Sequence, residues 1–93
     1  MKRQERMENA LIEAFAPVRL FVINESHQHA GHQPGMDGTG ETHFRVRIES
    51  DHFIGMNRIN RHRAVNDALK AEFDLELHAL AVEAAATGEA TRW

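Results

Sequence analysis

Seven histidines and no cysteine set the chemistry open to this chain of 93 residues. Imidazole is the near-neutral proton switch and the commonest protein metal ligand. Without thiolate, a soft metal must be held by imidazole or completed with a partner's sulfur. His27, His29 and His32 form a His-x-His-x-x-His stretch, and alternating imidazoles in irregular chain can converge on zinc or copper. The bland reading of the same stretch is a set of tolerated polar loop residues. His78 interrupts the apolar run Leu77-His78-Ala79-Leu80; a lone histidine there is more often a hydrogen-bonded core or edge residue than a ligand. His43 and His52 have no special spacing and read as surface residues. His62, in Arg61-His62-Arg63 beside Arg58, suits a phosphate or carboxylate as well as it suits a solvated basic turn.

Other chemistry finds little support. There is no cysteine nucleophile, Gly-x-Ser-x-Gly elbow or phosphate-cradling loop, and the carboxylates are scattered rather than paired. The expectation is a protein that is not an enzyme. A formal charge of −3 argues against strong, sequence-blind binding to phosphate backbones. A local basic stripe remains open, from Arg45 and Arg47 on one segment or Arg58, Arg61 and Arg63 on another. Phe21, Phe44 and Phe53 have the neighbours of core strands rather than of an RNA-stacking surface.

The segments that must position these residues follow from periodicity. Met7, Ala10, Leu11, Ala14 and Phe15 recur at helical spacing until Pro17 stops them. Leu20 to Ile23 reads as a strand ended by Asn24-Glu25-Ser26. Residues 27–40 carry Gly31, Pro34, Gly35, Gly38 and Gly40, a flexible loop by composition. Phe44, Val46 and Ile48 alternate with polar residues, predicting a strand with one wet face, antiparallel to the first. Val65, Ala68, Leu69 and Phe73 place one helix over Arg61 to Phe73, with Asn60 as its cap. Leu75 to Val82 reads as a third strand, though its alanines keep a helix open, and Ala84 to Trp93 leaves a terminal helix open, with Gly88 breaking any long one. The order helix, strand, strand, helix, strand makes a two-layer α+β domain, a three-stranded sheet with helices on one face, as a single domain over 1–93. No apolar stretch approaches the roughly 20 residues of a membrane span, and no targeting segment is read at the amino terminus. A cytoplasmic, monomeric protein is the expectation.

Five fragments, in order, give this pattern a likeness. They are Asn24-Glu25-Ser26-His27-Gln28-His29, Gly40-Glu41-Thr42-His43-Phe44-Arg45-Val46, Phe53-x-Gly55, Arg61-His62-Arg63-Ala64-Val65-Asn66 and Leu77-His78-Ala79-Leu80. Together they resemble the BolA family over most of the chain. The resemblance implies a class II KH-like fold. It also implies partnership with a monothiol glutaredoxin and a shared, bridged 2Fe-2S cluster, to which the glutaredoxin brings a cysteine and glutathione. His78 matches the family's carboxy-terminal histidine ligand, and His29 most nearly matches the loop ligand, with His27 and His32 as alternates. The resemblance further admits a nucleic-acid-binding transcriptional regulator, with DNA as partner, or an adaptor that binds glutaredoxin without metal. The KH phosphate-clamping Gly-x-x-Gly is replaced by Gly55-Met56-Asn57-Arg58. The tail Thr87-Gly88-Glu89-Ala90-Thr91-Arg92-Trp93 departs from the family's common Thr-Pro-x-Glu-Trp.

Overall fold

The computed structural model describes residues 1–26 and 42–93. Helix α1 spans Arg3–Phe15 and buries Met7, Leu11 and Phe15 on its inner face, the stripe expected from their spacing. It ends where Ala16 turns left-handed and donates its N–H to Ile12 at 3.0 Å, just before Pro17. Strand β1 (Arg19–Asn24) pairs antiparallel with β2 (His43–Ser50), and β2 pairs parallel with β3 (Ala79–Ala86). The sheet order is β1-β2-β3, so the central strand has one neighbour of each sense.

Every second residue of β2 is buried: Phe44, Val46, Ile48 and Ser50. Phe44, Val46 and Ile48 join Met7 and Leu11 of α1, Val22, Phe53, Val65 and Leu69 in one continuous core. Ser50 closes its end of the sheet, donating to the Phe15 carbonyl at 2.6 Å and accepting the His52 N–H at 3.0 Å. That bond caps the 3-10 turn Asp51–Phe53.

A parallel pair needs a crossover, and helices α2 (Arg58–Ala68) and α3 (Lys70–Asp74) supply it. The single helix expected over Arg61 to Phe73 is thus two, jointed at Leu69, whose 1 % exposure shows the joint held by the core. The cap is Asn57 rather than Asn60, its side chain accepting the Asn60 N–H at 2.8 Å, so α2 starts three residues early. The third strand is displaced as well. Leu75 and Glu76 form a turn, Glu76 at φ 72°, whose bonds return to Glu72 and Phe73, and β3 starts only at Ala79. No terminal helix forms. Gly88 adopts φ 89°, and the tail crosses back over β1, where the Arg19 guanidinium lies 4.2 Å from the Trp93 ring centre. Phe21, expected in a core, is 47 % exposed on this face and meets Trp93 edge-on. Among the described residues, no helix is long and apolar enough to cross a membrane.

Glu72 fastens the crossover to α1. Its carboxylate accepts from Arg3 Nε at 3.0 Å and from Arg6 Nη2 and Nε at 2.9 and 3.0 Å, while Arg3 also donates to the Leu75 carbonyl. The bond from Arg6, then that from Arg3, holds the Glu72 carboxyl below its ordinary pKa. A carboxyl with a lowered folded-state pKa stabilises the fold above its unfolded value of about 4.3, and that stabilisation fades as pH falls toward the folded value. Glu72→Gln should lower stability by about 1–3 kcal/mol at pH 7. Thermal melts should show the gap from wild type narrowing below about pH 4.3; a pH-independent gap would refute the assignment.

Candidate functional site

The mixed sheet decides where imidazoles can meet. Because β1 is antiparallel and β3 parallel to β2, the end of β1 and the starts of β2 and β3 share one corner: Asn24 pairs with Phe44, and His43 with Ala79. Backbone stitching closes that corner. Glu25 N–H donates to the His43 carbonyl at 2.8 Å. The buried Ser26 hydroxyl accepts from the N–H groups of Thr42 and His43 at 3.0 and 3.1 Å. Ser26 is itself set by an Asx turn, its N–H donating to Asn24 Oδ1 at 2.9 Å. Across the sheet, the Thr42 carbonyl accepts from both His78 and Ala79 N–H, at 2.9 and 3.1 Å.

The result is a histidine pair. The rings of His43 and His78 lie edge to face, with centres 6.1 Å apart and planes at 77°. Thr42 Oγ1 lies 2.8 Å from His43 Nδ1, a bond of the kind that orients metal-bound imidazoles. His78 is exposed at the residue just before β3 rather than inside a strand, and His43 is half-buried at the first position of β2. Read by spacing alone, His43 is a surface residue; its proximity to His78 needs the parallel register, which local periodicity does not carry. His27, His29 and His32 lie outside the described residues. Among the described residues no three histidines or carboxylates converge as a metal cage. With no cysteine in the chain, the corner could offer a metal two imidazole donors and no thiolate.

The arginines divide into two sets. On the open face of the sheet, Arg45 Nε donates to Glu25 at 3.0 Å and its Nη1 to Glu83 at 3.3 Å, while Arg47 Nε donates to Glu83 at 2.8 Å. Arg47, then Arg45, holds the Glu83 carboxyl below its ordinary pKa, and the Glu25 and Glu83 bonds raise that of Arg45. The expected stripe at Arg45 and Arg47 is therefore a compensated ion-pair ladder. On α2, Arg61 forms a forked pair with Glu89 at 2.6 and 3.0 Å, whereas Arg58 and Arg63 have no ion-pair partner among the described residues. Arg58, Arg61 and His62 border a groove of about 410 Å3 against Val82, Glu89 and Trp93. His52 is exposed, its ring edge-on to Phe15 at 5.0 Å.

The sequence model of the BolA-like proteins matches residues 11–89. The chain belongs to this family. It is 68% identical over 93 residues, the whole of both chains, to an uncharacterized protein in the cobS 5' region of Sinorhizobium sp. It is 39% identical over 82 residues to the DNA-binding transcriptional regulator BolA of Escherichia coli, covering 88% of this chain and 73% of that one. Among solved structures, the BolA domain of SufE1 from Arabidopsis thaliana superposes with a TM-score of 0.85 at 40% identity, over 97% of this chain and 98% of that one. Within this BolA-like fold the stitched corner holds the paired histidines. Ser26→Ala would deprive the Thr42 and His43 N–H groups of their acceptor, costing about 1–3 kcal/mol. Hydrogen exchange should quicken at those two amides while Val46 stays protected, and unchanged exchange at Thr42 and His43 would show that the hydroxyl does not hold the corner.

Proposed function

We propose that this BolA-like protein is a non-enzymatic partner of a monothiol glutaredoxin and co-ligates a bridged 2Fe-2S cluster for iron–sulfur assembly or trafficking. The observation that carries the reading is an exposed His78 beside a second imidazole, in a chain with no cysteine. Such a corner suits a half-site whose sulfur comes from the other protein and its glutathione. His29 is the loop ligand of this reading, with His27 and His32 as alternates. Imidazole in place of thiolate leaves a cluster less negative and raises its potential. His78 would be one donor, its backbone but not its ring held by the N–H bond to the Thr42 carbonyl.

The test is anaerobic reconstitution with a monothiol glutaredoxin and glutathione. His78→Ala and His29→Ala should each change the visible and magnetic spectra and shorten the cluster's lifetime. Spectra and lifetimes equal to wild type in both variants would overturn the ligand assignment. Full association of the apo proteins after both substitutions, with no tightening when the cluster is present, would favour the metal-free adaptor, because a bridging ligand must strengthen the complex it bridges.

A second reading, DNA binding in transcriptional control, draws on Arg58 and Arg63, the cations of α2 without a carboxylate partner among the described residues, and on the regulator named among the relatives. It predicts saturable DNA binding that weakens steeply with salt. Arg58→Gln with Arg63→Gln should lower the affinity and reduce the salt slope by about 2. Arg45→Gln should change it far less, because that charge is already answered within the sheet.

A further inference from the structure

From the histidine pair we infer that His43 and His78 together chelate a divalent first-row metal ion in the isolated protein. The inference rests on the reading of His78 as a metal ligand and assigns its partner from the described geometry. Two imidazoles bound at about 2.0–2.1 Å to one tetrahedral ion place their ring centres about 5 Å apart. The observed separation is 6.1 Å, so a closure of about an ångström brings both rings onto one ion. His78 can supply that movement through its side-chain torsions, since it is exposed and precedes the regular strand.

The backbone beneath the pair is fixed independently of the rings. Thr42 accepts from His78 N–H on one side, and Ser26 accepts from His43 N–H on the other. A chelate formed here therefore costs little backbone ordering. The ring bond to His43 also selects a nitrogen. With Nδ1 against Thr42 Oγ1 at 2.8 Å, Nε2 is the atom a metal would take, and the hydroxyl plays the orienting part that outer partners play for metal-bound histidines. Two imidazoles are borderline donors suited to zinc, cobalt, nickel or copper(II) rather than to magnesium or calcium. The remaining coordination positions fall to water in the isolated protein.

The experiment titrates Co2+ into the tag-free apo protein of 93 residues without glutaredoxin. It follows the visible ligand-field bands and, for Zn2+, the 15N shifts of the histidine ring nitrogens. Wild type should bind one ion, with the Nε2 resonance of His43 and a ring-nitrogen resonance of His78 moving together. His43→Ala, His43→Gln and His78→Ala should each weaken binding by about tenfold or more, and Thr42→Val by about tenfold. The triple variant His27→Ala, His29→Ala, His32→Ala should bind as wild type does. Amide spectra of every variant establish that it is folded, and the glutamine variant serves if the alanine variant is not. The inference is overturned if wild type binds no ion, or if the triple variant loses binding while His43→Gln retains it. Either failure leaves the glutaredoxin reconstitution to be judged by its own spectra, so the two readings fail separately.

Discussion

One backbone oxygen organises the corner that brings the two histidines together. The Thr42 carbonyl accepts from two successive N–H groups, His78 and Ala79, and so fixes where β3 begins against β2. From that fork the register runs in step, from His43 opposite Ala79 to Ser50 opposite Ala86. A one-residue slip would turn each inward side chain of β3 to the other face and move His78 away from His43. The histidine pair is thus a product of sheet register rather than of local sequence. The core that holds the register, with Phe44, Val46 and Ile48 under α1, is indirectly part of the site.

The two ends of the sheet are finished by the same device. At the corner of His43 a buried serine accepts backbone N–H groups where the chain leaves β1. At the opposite end Ser50 donates to the last turn of α1 and caps the next turn. Each hydroxyl satisfies backbone groups that would otherwise be buried without partners. Glu72 adds the third fixing point, drawing two arginines of α1 onto the helical crossover.

Much of this was legible in the chain. The stripes of α1 and the alternation of β2 were plain because each signal is local and repeats several times within one element. The α+β order and the antiparallel β1–β2 pair followed from them. Boundaries failed where a tertiary contact outweighed propensity. Leu69 looks like mid-helix but is the buried joint between two helices, and Leu75 looks like strand but turns because Glu72 and Phe73 accept the next N–H groups. Of the site, His78 could be singled out through resemblance. His43 could not be singled out by spacing, since His78 lies 35 positions away and only the parallel pairing joins them. The alternation of β2 predicts that Arg45 and Arg47 face outward, as they do, but their carboxylate partners come from β3 and from beyond the end of β1, which no pattern within β2 reveals.

The pair between Arg61 and Glu89 does more than tie the tail to α2. Arg61 reaches the Ala84 carbonyl at 3.4 Å, and Glu89 accepts the Ala86 N–H at 2.7 Å, both on the side of β3 that faces away from β2. An unpaired strand margin is a template on which neighbouring molecules can stack. Two side chains here occupy the last rung of that template, leaving a foreign strand no clean purchase at this end. The tail thereby covers part of the outer margin of β3, and a strand arriving there would first have to displace Arg61 and Glu89 from the backbone groups they already satisfy.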